Sequence, residues 1–311
     1  MENEQLGPFR LTPWFSPRPW GRKDLRPWYE STGTAEPVGE AWLTGPESMV
    51  ETGVMSGHTL ATVAAETGSD LLGEGGEAEF PLLVKLLFPD DKLSVQVHPD
   101  DAQAQAMGQP RGKTECWYVL EAEPGATIML GLKPGASVDA VRTAIAKGTL
   151  EELMEFVPVA AGDMVFVDAG TVHAIGPGVT LLETQQTSDI TFRMYDYGRP
   201  RELHVEQALN VMKLKTAAGK VKPVAMDGFI RLIEQQYFSV DRYELSAGRE
   251  VTIPIAEAGC LVGLSGMATV EGAGVAPVEV LRGQAVVVPA GCGSVVVRSE
   301  AGASFVRCFA P

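Results

Sequence analysis

Short apolar or alternating runs, each stopped within a few residues by Gly or Pro, follow one another along most of this chain: PLLVKLLF (81–88), LSVQVH (93–98), KTECWYVL (113–120), MVFVDAG (164–170), DITFRMYDYG (189–198), AVVVP (285–289) and SVVVRS (294–299). Alternation with period two suits strands, whereas proline removes a backbone donor and breaks a helix interior. The 34 Gly and 21 Pro among 311 residues supply turns at a density that does not suit a helical bundle. The chain is therefore expected to be mainly β, and it is long enough for one large domain or two smaller ones.

Residues 1–50 are rich in Pro, Gly and Trp. They read as extended segments and turns, with Trp14, Trp20, Trp28 and Trp42 packing on a core. Helical spacing is confined to 58–76, to 137–155 with Ser137 as N-cap, and to 202–214. A Lys-containing link over 215–228 marks a boundary, so the expected division is 1–220 and 221–311. The two parts echo each other: Gly162 to His173 reads G-x5-D-x-G-x2-H, and Gly283 to Ser294 reads G-x5-P-x-G-x2-S. Both resemble the second sequence motif of cupins, a strand and a Gly turn leading to a metal-ligand position. The resemblance implies two cupin-like (jelly-roll) β-barrel domains with a short helical insertion in the first. Residues 1–220 would bind metal and carry catalysis. Residues 221–311, with Ser294 at the ligand position, would not bind metal.

Twenty-five Lys and Arg against 40 Asp and Glu give a net charge of −15, a field that repels phosphate at long range. Neither nucleic acid nor a membrane is an expected partner, and an anionic small molecule must be held by a few local cations. No apolar run reaches the ~20 residues that span a bilayer. The opening MENEQLGPFRLTPW lacks the basic start and apolar stretch of a signal peptide, so the expected location is the cytoplasm. Cys116, Cys260, Cys292 and Cys308 form no CxxC pair, which argues against a disulfide framework or a thiolate zinc site.

Chemistry concentrates in three strands. In Leu93–His98, alternation puts Leu93, Val95 and Val97 on one face and Ser94, Gln96 and His98 on the other. Lys113, Glu115 and Trp117 share a face of the next run, and a buried ammonium and carboxylate must be paired or bound to something. Asp189, Thr191, Arg193 and Tyr195 share a face of a third. Arg193 there, and Lys85 inside PLLVKLLF, each require an anionic partner such as a phosphate or a developing oxyanion. His173 ends the Gly turn described above. Gln96, His98, Glu115 and His173 together offer two imidazoles, a carboxylate and an amide oxygen, a set suited first to Zn(II), and also to Mn(II), Co(II) or Fe(II). Taken singly, each has a structural explanation: Glu115 as an ion pair with Lys113, Arg193 as a partner of Asp189 or Asp196, and His58 and His204 as ordinary hydrogen-bonded residues.

Read as a set, these residues resemble the type I phosphomannose isomerases in their short bacterial form. The likeness is carried by PRPWGRKDL, GEAWL, PLLVKLLFPDDKLSVQVHPDD, GKTECWYVL and AGDMVFVDAGTVHAIGPGVTLLETQQTSDITFRMYDYGRPRELHVEQAL, and more loosely by RLIEQQYFSV and GQAVVVPAG. It implies an aldose–ketose isomerase that interconverts mannose 6-phosphate and fructose 6-phosphate through an enediol. One zinc ion per chain would sit on Gln96, His98, Glu115 and His173. Lys113, Arg193 and Asp189 would be catalytic, and Ser94 and Lys85 would lie on the substrate side. Lys113 is the expected base, provided burial and the metal lower its pKa. Arg193 either anchors the phosphate or stabilises the enediolate. Longer members often carry His immediately before the catalytic Lys; Gly112 stands here, so a relay through that His does not apply.

Two other isomerase substrates, a different sugar phosphate or a free aldose, fit the same residues. A non-catalytic metal- or sugar-binding cupin predicts loss of Lys113 and Arg193, and both are present. A cupin dioxygenase fits less well, since three-His iron sites are usual there. Oligomeric state is not legible, with a monomer as the default.

Overall fold

The computed structural model describes residues 6–75 and 78–311. Strand makes up 41% and helix 14%, so the chain is mainly β. Among the described residues the strands form four sheets. The first, of seven strands, runs Gly219–Val221, Met164–Val167, Glu115–Ala122, Val179–Gln186, Leu82–Leu87, Val38–Trp42, Trp14–Arg22. The second, of five, runs Phe192–Tyr195, Val95–Val97, His173–Ile175, Thr127–Leu132, Met154–Pro158. The later part of the chain builds a sheet of seven and a sheet of four. None of these sheets closes on itself, so the closed barrels of the sequence expectation are corrected to open sheets packed face to face.

The packing is layered, and alternation explains it. One core joins the five-stranded sheet to the first seven-stranded sheet through Ile128, Leu130 and Ile175 against Leu87, Trp117, Val119 and Val165. The opposite face of that seven-stranded sheet, with Val84, Leu86, Cys116 and Leu182, meets the later one through Val240, Val262, Val306 and Cys308. A third core joins the later seven-stranded sheet to the four-stranded one. Val95, Val97, Met129 and Ala174, on the outer face of the five-stranded sheet, are covered by helices Val138–Lys147 and Val205–Val211. The chain leaves the first half at a narrow point. Gly219–Val221 pairs with Met164–Val167, and three residues later Val224–Ala225 pairs with Ile230–Glu234. Phe9–Arg10, however, adds to the edge of the later sheet beside Ala285–Val288.

Helices are shorter than their spacing suggested, and glycines at positive φ end the first two stretches. The first stretch breaks at Gly68 (φ 48°) into Leu60–Thr67 and Ser69–Leu72. The second is N-capped by Ser137, as expected, but ends at Gly148 (φ 70°) before a 3-10 turn and the strand Met154–Pro158. The third covers only Val205–Val211. Trp20 and Trp28 are buried, but Trp14 is 54% exposed and lies edge-on to Trp42 at the rim of the site. No described helix is long and apolar enough to cross a membrane.

Candidate metal centre

Register decides which side chains meet between the two facing sheets. His173 stands opposite Gln96, and Gln96 opposite Arg193, so three adjacent strands present one row. Across from it, Glu115 stands beside Gln185, and Trp117, Glu183, Lys85 and Trp42 form a second row through consecutive strands. The strand through Gln96 is only Val95–Val97, and His98 follows it directly before Pro99.

Three of these side chains converge. His98 Nε2 lies 3.6 Å from Glu115 Oε2, and His173 Nε2 lies 3.4 Å from Glu115 Oε1. All three residues are buried, and their candidate ligand atoms lie within 4.8 Å of one another. The Gln96 amide reaches the same point, 3.3 Å from His173 Nε2. Each imidazole is turned by its other nitrogen: His98 Nδ1 donates to the Ile190 carbonyl and His173 Nδ1 to the Thr171 carbonyl, both at 2.9 Å. That fixes the tautomer and leaves each Nε2 with a lone pair aimed inward. Burial pushes the His98 pKa well below its usual value and that of His173 down to about 4, so both rings are neutral at ordinary pH. Burial also raises the Glu115 carboxyl, against the pull of Lys113 and Lys85.

His98 Nε2 and both Glu115 oxygens make no hydrogen bond although buried, and among the described residues the one ion-pair cation beside Glu115 is Lys113, 3.4 Å from Oε2. Orphaned polar atoms in a native interior are costly and call for an explanation. Two neutral imidazoles and one carboxylate gathered at a common centre, with the Gln96 amide beside them, fit a divalent cation of the borderline class.

The cations around this centre differ in kind. Lys113 precedes the strand Glu115–Ala122 rather than sitting in it, and its Nζ is 3.4 Å from Glu115 Oε2. Burial lowers its proton affinity, but Glu115, Glu183, Asp189 and Glu40 outweigh burial and hold it above the ordinary lysine range. Without a metal ion, the carboxylates around Lys113 keep it charged, the opposite of the depressed pKa that a free-amine base needs. Lys85 is 3% exposed. It lies 3.7 Å from Glu183 and 3.8 Å from the exposed Asp189, with its Nζ 4.3 Å from the centroid of the Trp42 ring. Ser94 is buried, its hydroxyl 3.5 Å from Gln96 Oε1.

Arg193 pairs with neither Asp189 nor Asp196. Its Nη1 donates to the Glu202 carbonyl at 2.9 Å, its Nε is buried without a partner, and its backbone N–H donates to His204 Nδ1. Asp196 is taken by Arg199 and Arg201. Burial and the positive charges of Arg201 and Arg18 lower the Arg193 pKa. The shared face expected for Asp189, Thr191, Arg193 and Tyr195 is corrected. Only Phe192–Tyr195 is strand, and a register shift after Arg193 sends Tyr195 to the helical layer.

Sequence reading passed over Glu183, Glu40, Arg18 and Arg201. Glu183 carries a weaker signal than Lys85, because its strand VTLLETQQ is largely polar, and Trp117 Nε1 donates to it at 3.1 Å. A cavity of about 520 Å³ lined by Trp42, Leu83, Gln109, Ser188, Asp189 and Ile190 opens beside Lys85.

A family model described as the type I phosphomannose isomerase catalytic domain matches residues 9–128. A mannose-6-phosphate isomerase of Streptococcus mutans is 39% identical over 240 residues, covering 73% of this chain and 75% of that relative. The chain belongs to the type I phosphomannose isomerase family. Mannose-6-phosphate isomerase ManA of Bacillus subtilis is 36% identical over 254 residues, 77% of this chain and 80% of its own length. The crystal structure of the mannose 6-phosphate isomerase from Bacillus subtilis superposes with a TM-score of 0.88 at 28% identity, covering 98% of this chain and all of that one. A putative mannosephosphate isomerase from Archaeoglobus fulgidus shares the fold alone, with a TM-score of 0.80 at 19% identity, covering 99% of each chain. Within the phosphomannose isomerase fold, His173, Gln96 and Arg193 of this chain sit on one row of adjacent strands.

Proposed function

We propose that this chain interconverts mannose 6-phosphate and fructose 6-phosphate, with one zinc ion held by Gln96, His98, Glu115 and His173. The observation that carries the reading is the convergence of buried acceptors on His98 and Glu115, none of them hydrogen-bonded, with the Nε2 of His173. A divalent ion bound there supplies Lewis-acid polarisation of the sugar oxygens.

The side chains divide the remaining work. In a chain of net charge −15, Arg18, Arg193 and Arg201 offer a local cationic end for the substrate phosphate, and the unpartnered Arg193 Nε has hydrogen-bonding capacity to spare. Lys113 stays protonated and donates toward the oxygen on which enediolate charge develops. Glu183, a buried carboxylate whose pKa burial and Glu115 raise, takes the proton from C2 and returns it to C1. Lys85 and the Trp117 indole hold Glu183 in place. The same reading takes the chain as a cytoplasmic enzyme acting on small molecules, built of two jelly-roll modules, 1–220 and 221–311, the first of which carries the metal.

The test is a coupled assay with mannose 6-phosphate on purified protein before and after chelation, with zinc added back and metal content measured. Activity lost and restored with zinc supports the reading, and zinc-loaded protein without turnover refutes it. His98→Ala loses both metal and activity. Lys113→Met keeps the metal and loses about 100-fold or more in kcat. Glu183→Gln abolishes exchange of the C2 proton with deuterated solvent; exchange at the wild-type rate refutes Glu183 as the base.

A further inference from the structure

Asp101 joins the two halves of the molecule at the loop that carries Lys113. It begins the helix Asp101–Ala106, three residues after His98. Its carboxylate accepts from the Gly112 N–H at 2.8 Å, from Gln186 Nε2 at 3.0 Å and from the Tyr237 hydroxyl at 2.6 Å. Gln186 Oε1 in turn accepts from the Thr114 N–H at 2.9 Å, and the Lys113 N–H donates to the Pro99 carbonyl at 3.0 Å. Three consecutive backbone donors, 112 to 114, are thus fixed, two of them through Asp101. The loop is also pressed against its support: a Cβ on Gly112 would lie 2.5 Å from the Pro99 carbonyl oxygen. Tyr237 lies outside this half, between the strands Ile230–Glu234 and Ser239–Leu245 of the later sheet.

We infer that Tyr237 is a positioning residue for the isomerisation: through Asp101 it fixes the backbone of 112–114 and hence the Lys113 ammonium beside Glu115. The later sheet thereby takes part in catalysis without contributing a group to the metal centre. This rests on the reading above in which Lys113 acts on the substrate. The hydrogen bond is a short hydroxyl-to-carboxylate contact of the stronger, charge-assisted kind. Burial and Asp101 push the Tyr237 pKa up to about 12, so the phenol remains a donor throughout the working range. Without it, one carboxylate oxygen of Asp101 loses its only described donor and can turn toward the adjoining cavity of about 470 Å³, releasing Gly112 and Gln186. A displacement of about 1 Å at a reacting group costs on the order of 100-fold in rate.

The test compares Tyr237→Phe, Asp101→Asn and the double variant as zinc-loaded, full-length proteins, measuring kcat, KM, metal stoichiometry and Tm. Tyr237→Phe is expected to lower kcat by about 10- to 100-fold with KM, metal content and Tm near wild type. The double variant is expected to be no worse than Asp101→Asn alone, because both changes act through one connection. Wild-type kcat in Tyr237→Phe, or a loss that tracks metal content or Tm, overturns the inference while leaving the isomerase reading intact. A wild-type protein with no turnover overturns both.

Discussion

At the scale of single residues, the centre is set by what each ring nitrogen is not free to do. Because Ile190 and Thr171 carbonyls each claim one nitrogen, the other is left as a bare acceptor in the interior. The His173 imidazole of metal-stripped protein is therefore expected to titrate near pH 4 rather than near 6.5, which an NMR titration of its ring protons reads directly. The sign for stability follows. Between about 6.5 and about 4 the unfolded imidazole binds a proton that the folded one refuses, so this group's contribution is full above 6.5 and is lost as the pH falls, by roughly 3 kcal/mol. Glu115 and Glu183, raised by burial, act in the opposite sense, so the ring signal rather than the net melting curve isolates His173. An imidazole titrating at 6.5 would remove the physical basis of the pre-set acceptor. The cluster of His98, Glu115 and His173 was legible because His98 and Glu115 stand on polar faces of alternating runs and because His173 follows a recognisable Gly turn. The charge on Lys113 was only partly legible: Glu115, the largest carboxylate contribution, is two residues away, but Glu183, Asp189 and Glu40 come from three other places in the chain.

At the scale of elements, the centre depends on turns as much as on strands. Gly170 has φ of 91°, its N–H donates to the His98 carbonyl at 2.8 Å, and its own carbonyl accepts from the Lys213 N–H at 2.8 Å. Two metal-binding segments therefore hang from one residue in a conformation that L side chains rarely adopt. Gly170→Ala is expected to cost about 1–3 kcal/mol of stability through backbone strain. It is also expected to weaken metal binding by about tenfold, as loss of an outer support does. Calorimetric zinc titration and thermal denaturation check the two halves of this statement, and unaltered zinc affinity would show that the turn does not carry the ligands. The spacing of Gly162 and Gly170 around an apolar strand made this turn readable from sequence. Strand ends were less so: the alternation of Leu93–His98 continues beyond the three residues that pair, because alternation records which face is buried and not where the ladder stops. Glycines at positive φ likewise cut the helical stretches at 68 and 148 without disturbing the apolar spacing that suggested longer ones.

At the scale of the whole molecule, the two halves share a core rather than a thin contact. The largest buried cluster includes Val84, Leu86, Cys116 and Leu182 from the site-bearing sheet and Phe238, Val240, Val306 and Cys308 from the later one. Sequence made each strand's alternation visible, but the outward faces of both sheets look alike in sequence, and nothing local states that they meet. The consequence is cooperative. A sheet whose one face builds the metal centre and whose other face supports its neighbour does not stay folded when that neighbour is lost. Phe238 is fully buried in this seam, so Phe238→Ala is expected to destabilise the protein by about 3–5 kcal/mol through lost burial and the cavity left behind. Because the seam is common, isomerase activity and the near-ultraviolet signal of the later aromatics Tyr243 and Phe305 should be lost together in one urea transition, in the variant as in the wild type. Two separated transitions, with activity surviving the first, would mean that the halves are independently stable, and the later sheet could not then be what holds the Lys113 loop.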